Sequence, residues 1–129
     1  MKRTAILLIL VFILLVGCSD NNQDNHTYTQ ITQEEAMEMM KFDDSHIIVD
    51  VRRQDEYDEG HIPGAILIPN ESISDERPKE LPDLDQIILI YCRTGRRSKE
   101  ASQKLADMGY TNVYEFGGIS TWPGEITTE

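Results

Sequence analysis

The segment 91–98, which reads Tyr-Cys-Arg-Thr-Gly-Arg-Arg-Ser, carries the residues best placed to do chemistry. It follows the apolar run 87–90 and precedes a segment with helical spacing. A thiol between a strand end and a helix start is favoured as an anion, because helix N–H groups and nearby cations stabilise the thiolate. The pattern therefore predicts that Cys92 is a nucleophile that handles sulfur.

The residues after Cys92 form a predicted substrate-binding loop: Arg93, Thr94, Gly95, Arg96, Arg97 and Ser98. Gly95 allows a positive φ, so the loop can point backbone N–H groups at the sulfur. Ser98 is predicted to cap the following helix. The three arginines supply positive charge but cannot all point inward, so at least one is expected to face solvent and meet the substrate anion. The alternative is a structural cysteine beside a solvated basic face.

Composition limits the function classes. The chain has 129 residues, enough for one domain, and a formal net charge of −11. Nucleic acid is excluded as a partner, since phosphate binding needs a broad basic face. Five of the twelve lysines and arginines nevertheless lie within twelve positions, 93–104. A local positive field on a negative protein attracts a small anion.

The N-terminus has the pattern of a signal peptide. Lys2 and Arg3 precede the unbroken apolar run 5–16. Twelve apolar residues are too few to span a bilayer, which takes about twenty, and fit a signal-peptide core instead. We therefore do not expect this run to be a permanent transmembrane helix.

The sequence Leu-Val-Gly-Cys at 15–18 resembles a bacterial lipobox, in which the chain is cut before the cysteine and a diacylglycerol is attached to its sulfur. The resemblance makes 1–17 a lipoprotein signal peptide, Cys18 the lipidation site and 18–27 a polar tether. The mature chain would carry a charge of −13, from 10 basic and 23 acidic residues. It would be anchored outside the cytoplasm, on the bacterial cell membrane. An ordinary secretory signal with a coincidental cysteine is the alternative.

Lipidation of Cys18 would also explain the cysteine count. The chain has two cysteines, and two cysteines outside the cytoplasm can form a disulfide. A lipidated Cys18 cannot pair, so Cys92 would remain the sole free thiol. A lone thiol in an oxidising compartment suggests a use for it, although a buried inert cysteine remains the alternative.

Residues 28–129 alternate strands and helices and form the predicted domain. Short apolar runs with turn signals between them predict five strands, at 28–31, 47–49, 65–68, 86–91 and 113–116. Helical spacing predicts helices at 32–41, 54–59 and 98–108, with a short final helix around Trp122. This order predicts an α/β fold: a parallel sheet of about five strands, with 86–91 central and helices on both faces. Such sheets bind ligands at the carboxyl ends of their strands, where Cys92, Asp50 and Arg52 lie.

Four motifs together resemble a single-domain rhodanese over nearly all of residues 28–129. They are Asp-Val-Arg at 50–52; Glu-Tyr at 56–57 followed by Gly-His-Ile-Pro-Gly-Ala at 60–65; Cys-Arg-Thr-Gly-Arg-Arg-Ser at 92–98; and Gly-Gly-Ile at 117–119 with Trp122. The resemblance implies the rhodanese α/β fold. It also implies that Cys92 takes a sulfane sulfur from a donor such as thiosulfate, becomes a persulfide, and passes the sulfur to cyanide or a thiol.

The resemblance also assigns supporting residues. Asp50 and Arg52 resemble a pair at the edge of the site, where an acid can hold a loop arginine in place. The alternatives are a turn residue or helix cap for Asp50 and a surface ion pair for Arg52. His61 is expected to hydrogen-bond the turn between a helix and a strand, so it is not the predicted catalytic base. Trp122 is expected to be a core anchor.

Other functions stay open at this stage. Phosphatases of the rhodanese fold resemble this chain but have seven residues from the cysteine to a phosphate-binding arginine, whereas the stretch from Cys92 to Arg97 has six. The shorter loop is expected to suit a sulfane sulfur, so phosphatase or arsenate-reductase activity is the less favoured alternative. A persulfide carrier or a partner-docking module is the second alternative. The predicted partners are a small sulfur-containing anion or thiol acceptor and the membrane through the lipid anchor, with a protein persulfide partner as a further candidate. No metal site and no cofactor are predicted.

Overall fold

The five predicted strands form one sheet. A computed structural model describes residues 26–129, so the predicted signal peptide and Cys18 lie outside the described residues. The strands are β1 (Thr29–Gln30), β2 (Ile47–Asp50), β3 (Ile66–Leu67), β4 (Ile88–Cys92) and β5 (Val113–Gly118). All neighbouring strands pair in parallel in the order β1-β5-β4-β2-β3. The predicted parallel α/β sheet is confirmed.

Three α-helices connect the strands: α1 (Gln33–Met40), α2 (Gln54–Glu59) and α3 (Arg96–Asp107). Single 3-10 turns lie at Asn70–Ser72 and Ile119–Thr121. Helix α1 begins where the sequence predicts, because the Thr32 hydroxyl accepts a hydrogen bond from the Glu35 N–H at 3.0 Å. None of the described helices is long and apolar enough to cross a membrane.

Apolar clusters cover both faces of the sheet. One packs α3, through Ala101 and Leu105, against alternate residues of β2 and β4. The other packs α1, through Ala36, against the opposite face. Trp122 joins this second cluster against Phe116, with ring centroids 5.4 Å apart. Trp122 therefore packs as a core anchor, although it follows the last 3-10 turn instead of lying within a helix.

Strand β4 is the central strand, and all five of its residues are buried. Its side chains alternate between the two clusters: Ile88, Ile90 and Cys92 face one, and Leu89 and Tyr91 face the other. This double burial explains why the sequence reads as a continuous apolar run, with each buried side chain contributing about 1.5–3 kcal/mol. The strand therefore holds Cys92 rigidly at its carboxyl end.

Candidate active site

The Cys92 sulfur lies inside the turn between β4 and α3. Its side chain is only 1% exposed. The Gly95 N–H donates to the sulfur at 3.0 Å, and the Ser98 hydroxyl lies 3.4 Å away. Gly95 has φ 112°, which turns the chain so that this N–H points at the sulfur. The loop therefore wraps its backbone around Cys92, as the sequence predicts.

The start of α3 differs from the prediction. The helix begins at Arg96, two residues before Ser98, and its N-cap Gly95 makes no side-chain capping bond. The prediction that Ser98 caps the helix is therefore wrong. The physical reason is that the Cys92 sulfur accepts the N–H groups of Thr94, Gly95 and Ser98 at the start of the helix, so the Ser98 side chain makes other contacts instead of capping it.

Hydrogen bonding sets the ionisation of Cys92. Burial alone would raise the pKa of the thiol. The Ser98 hydroxyl and the backbone N–H groups of Ser98, Gly95 and Thr94 outweigh burial and hold the pKa below its ordinary value. A low-pKa thiol is a thiolate at lower pH, and the thiolate is the reactive form. The backbone of the loop, more than its arginines, therefore prepares the nucleophile.

The Ser98 hydroxyl connects the sulfur to a buried acid. Ser98 is fully buried, and its oxygen lies 2.6 Å from Glu115 Oε1. Glu115 lies on β5 and is 2% exposed. Its Oε1 also accepts the Gly117 N–H at 2.8 Å. Glu115 is not among the residues predicted from the sequence, although an acid in the middle of a buried strand is an unusual pattern that could have identified it.

Arg97 is held by an acid from another element. Its Nη1 donates to Glu56 Oε1 at 2.6 Å and its Nη2 to Oε2 at 3.0 Å, a two-bond pair. Glu56 lies on α2, and its oxygen also accepts from the Arg53 N–H at the start of that helix. Arg97 is close enough to Cys92 for a charge on the sulfur to stabilise its guanidinium. Glu56 thus fixes one loop arginine beside the nucleophile.

Arg93 and Arg96, the other two loop arginines, face solvent. The Arg96 side chain is 81% exposed, with only a 3.7 Å contact to Glu100. Arg93 is exposed, and its side chain makes no ion pair within residues 26–129. Thr94 is also exposed. Arg93 also lines a cleft of about 290 Å³, whose other charged lining residues are Arg52, Glu56 and Glu59. The cleft therefore holds two basic and two acidic side chains, and its exposed positive charge next to the loop comes from Arg93.

Asp50 and Arg52 form a buried pair at the carboxyl end of β2. Arg52 donates to Asp50 Oδ2 from Nη2 at 2.7 Å and from Nε at 3.1 Å, and its backbone N–H donates to Oδ1. The Tyr91 hydroxyl donates to the same carboxylate at 2.7 Å. Asp50 therefore holds Arg52, which is 6% exposed and not a surface residue. The acid that holds an arginine of the Cys92 loop is Glu56, a role that the sequence analysis did not assign.

The Asp50 carboxylate changes the pKa values of Tyr91 and Arg52. Burial and the negative charge of Asp50 raise the pKa of Tyr91, so the phenol stays protonated and keeps donating. Burial alone would lower the pKa of Arg52, but the hydrogen bonds to Asp50 outweigh it and raise that pKa. The Tyr91 phenol therefore stays protonated and the Arg52 guanidinium stays charged near neutral pH.

His61 is structural. Its Nδ1 lies 2.8 Å from the Tyr57 carbonyl oxygen, and its Nε2 lies 2.8 Å from the Glu129 carbonyl oxygen. Its ring stacks on Tyr57 with centroids 3.7 Å apart. Both ring nitrogens contact backbone carbonyls away from Cys92, which agrees with the prediction that His61 is not the catalytic base.

Comparison with known proteins identifies the family. Residues 32–125 match the Rhodanese-like domain family. The chain belongs to this family. It is 36% identical over 102 residues to the thiosulfate sulfurtransferase GlpE of Coxiella burnetii, a match that covers 78% of this chain and 92% of GlpE. The resemblance inferred from the four motifs is therefore confirmed at the level of the family.

Two further proteins are similar to this chain. The Bacillus subtilis protein YrkF, provisionally named a sulfur carrier protein, is 31% identical over 118 residues, which cover 91% of this chain and 63% of YrkF. The solved structure of a rhodanese with anions from Escherichia coli is 30% identical, with a TM-score of 0.60, and covers 66% of this chain and all of that one. The relatives thus include both a named sulfurtransferase and a named sulfur carrier.

We expect the pair between Glu56 and Arg97 to make stability depend on pH. The hydrogen bonds that Arg97 donates to Glu56 lower the pKa of this carboxyl group from 4.5 to about 2. A lowered pKa in the folded state stabilises the fold above pH about 4.5, and this stabilisation is lost as pH falls toward 2. Glu56→Gln should therefore lower the free energy of unfolding by about 1–3 kcal/mol at pH 6, and by much less near pH 2.5.

Urea unfolding of the wild type and Glu56→Gln at the two pH values measures this difference. Glu59→Gln is the matched control, since Glu59 lies exposed on the same helix. A loss of stability in Glu56→Gln that is equal at pH 6 and pH 2.5 would contradict the prediction.

Proposed function

We propose that the protein is a sulfurtransferase that moves a sulfane sulfur through a persulfide on Cys92. The observation that carries the proposal is the hydrogen-bonded sulfur, which accepts the Gly95 N–H at 3.0 Å at the end of the central strand. The hydrogen bonds that hold the pKa of this thiol below its ordinary value support a reactive thiolate. The relative GlpE, named a thiosulfate sulfurtransferase, supports thiosulfate as the donor.

In the first half of the reaction, the Cys92 thiolate attacks the outer sulfur of thiosulfate. A new S–S bond forms to Cys92, the old S–S bond breaks, and sulfite leaves with the bonding electron pair. Thiosulfate carries two negative charges, so it is attracted by the exposed guanidinium groups of Arg93 and Arg96. Arg97, held by Glu56, adds fixed positive charge beside the sulfur.

In the second half, cyanide or a thiol attacks the outer sulfur of the persulfide. The S–S bond breaks, and Cys92 leaves as a thiolate. The N–H groups of the loop that lower the pKa of Cys92 also stabilise this leaving group. One set of hydrogen bonds therefore serves both half-reactions.

The experiment is a turnover assay. We expect the full chain, purified in detergent, to make thiocyanate from thiosulfate and cyanide, and Cys92→Ala to make none. Mass spectrometry of the peptide that bears Cys92 should show one added sulfur after treatment with thiosulfate alone. Thiocyanate production that survives Cys92→Ala would contradict the proposal.

A persulfide carrier is the second candidate. It is favoured by the similarity to YrkF and by the burial of the Cys92 side chain, which a large acceptor reaches only if the loop moves. A carrier would gain sulfur on Cys92 but would make at most one molecule of thiocyanate per molecule of protein. The assay and the mass measurement together therefore separate the two candidates.

We also propose that the protein is a lipoprotein attached to the membrane outside the cytoplasm. The lipobox at 15–18 and the polar residues up to 27 support this location. The mass of the N-terminal peptide of protein purified from a bacterial membrane decides it. An unmodified Cys18 or a retained residue 17 would contradict the anchor.

A further inference from the structure

Glu115 is a buried carboxyl group with no cationic partner among the described residues. It is 2% exposed and takes part in no ion pair within residues 26–129. Its neighbours are neutral donors: the Gln30 amide at 3.3 Å, the Gly117 N–H at 2.8 Å and the Ser98 hydroxyl at 2.6 Å. An unpaired buried carboxylate is costly, so this position calls for an explanation.

The Ser98 hydroxyl has one proton and four acceptors within reach. They are Glu115 Oε1 at 2.6 Å, the Gly95 carbonyl oxygen at 2.9 Å, and the Gly117 carbonyl oxygen and the Cys92 sulfur, each at 3.4 Å. A hydroxyl donates only one hydrogen bond at a time. When its proton points at Glu115, the Cys92 thiol donates to the Ser98 oxygen. This arrangement belongs to the protonated thiol.

Ionisation of Cys92 reverses the direction of these bonds. A thiolate has no proton to give, and the Ser98 hydroxyl, which helps to hold the pKa of Cys92 down, does so by donating to the sulfur. The contact of 2.6 Å between the Ser98 oxygen and Glu115 Oε1 then needs a proton from Glu115, because two oxygens at that distance with no proton between them repel. We propose that Glu115 takes up the proton that Cys92 releases, through the Ser98 hydroxyl.

The transfer is balanced. The S–H bond of Cys92 breaks and its proton binds the Ser98 oxygen, while the former Ser98 proton binds Glu115 Oε1. One negative charge moves from Glu115 to Cys92, and no electron is lost or gained. The thiolate therefore forms without a second negative charge behind it. This role rests on the proposed sulfur transfer through Cys92. Because Glu115 acts through Ser98, it is a positioning residue.

Few other charges face this group. Lys99 of α3 lines the same cleft as Glu115, which has a volume of about 320 Å³ and is also lined by the neutral Gln30 of β1 and Gln33 of α1. Arg97, paired with Glu56, acts on the sulfur from the other side of the loop. The hydrogen bonds to Glu56 raise the pKa of Arg97, so its guanidinium does not titrate in the neutral range. A change of reactivity in that range therefore reports the pair of Cys92 and Glu115.

The test is the pH dependence of Cys92 alkylation by iodoacetamide, measured on the peptide that bears Cys92 from the full chain in detergent. Internal transfer does not depend on pH between the two ionisations of the pair. The logarithm of the wild-type rate constant should therefore be flat over part of the range from about pH 5 to 8. In Glu115→Gln it should fall about tenfold per pH unit below a single pKa.

Glu125→Gln is the control, because it removes one negative charge from an exposed residue outside the site; it should keep the wild-type profile. A merely structural Glu115 would change thermal stability but not the shape of the profile. Coincident wild-type and Glu115→Gln profiles would overturn the proposal.

If Glu115→Gln does not fold, infrared difference spectra of the wild type and Cys92→Ala at neutral pH provide the test. A carboxylic-acid band that is present in the wild type and lost in Cys92→Ala supports the transfer, and the absence of such a band in the wild type overturns it.

This test does not depend on a sulfur donor. A flat profile in a protein that makes no thiocyanate would support the proton transfer and contradict the sulfurtransferase. Thiocyanate production without a flat region would contradict only the role of Glu115.

Discussion

Gly118→Ala is expected to lower the rate of sulfur transfer by about a hundredfold while leaving the sheet in place. Gly118 ends β5, where it lies opposite Cys92 in the parallel pairing with β4. A Cβ at this position would lie 2.6 Å from the Thr94 nitrogen and closer still to the Arg93 carbonyl oxygen. Both are backbone atoms, so the loop must move by about an ångström or more to restore ordinary contact distances.

Such a movement acts on the nucleophile directly. The N–H groups of Thr94 and Gly95 help to hold the pKa of Cys92 below its ordinary value, and both follow the displaced backbone. Thiol alkylation against pH should therefore show a raised pKa for Cys92 in Gly118→Ala, together with the lost activity. The backbone strain should also cost about 1–3 kcal/mol of stability.

Gly64→Ala is the control, because it introduces backbone strain without displacing the Cys92 loop. Gly64 has φ 83°, so alanine is strained there, but a Cβ would meet no atom within 4 Å. It should lower the unfolding midpoint and keep the activity per folded molecule. The reasoning about Gly118 would be wrong if Gly118→Ala kept more than half of the wild-type activity and the same pKa for Cys92.

The sheet could be predicted because the burial of a strand shows in the residues of that strand alone. The residues of β4 are apolar without interruption, as a strand covered on both faces must be, and the structure makes this strand central. The place of Cys92 at its carboxyl end follows from the same run. The positive φ of Gly95 could also be predicted, since a strand-to-helix turn this tight needs a residue without a Cβ.

The side-chain partners could not be predicted, because they come from distant parts of the chain. Glu56 meets Arg97 across 41 residues, and Glu115 meets Ser98 across 17. No local spacing rule links residues on different elements. The mistaken cap at Ser98 has a related cause: local propensity favours serine as a cap, but the buried sulfur competes for the same N–H groups.

The three loop arginines show what these distant partners do. Arg97 is fixed by two bonds to Glu56, whereas Arg96 is 81% exposed. A fixed guanidinium gives the sulfur a constant field, and an exposed one can move to meet an incoming anion. The acids on α2 and β5 therefore have different roles at the loop. Glu56 fixes the Arg97 guanidinium near Cys92, and Glu115 is the proposed acceptor of the Cys92 proton through Ser98.

Asp50→Asn is expected to lower the free energy of unfolding by about 3–5 kcal/mol, because it leaves the Arg52 guanidinium buried without a counter-charge. Asp50 is fully buried and accepts from both Arg52 and the Tyr91 hydroxyl. Urea unfolding at neutral pH measures the loss. Asp58→Asn, an exposed acid on α2, should leave the midpoint unchanged.

The double variant Asp50→Asn/Arg52→Met decides the cause. If the cost comes from an uncompensated charge, removing that charge should recover part of the stability, so the double variant should unfold at higher urea than Asp50→Asn alone. If the loss of stability comes from lost hydrogen bonds, the double variant should unfold at lower urea than Asp50→Asn alone. The reason is that Arg52 also donates to the Gly60 carbonyl oxygen at 2.6 Å, and Arg52→Met removes this bond. A loss below about 1 kcal/mol in Asp50→Asn would contradict both explanations and would mean that the pair positions Arg52 without stabilising the fold.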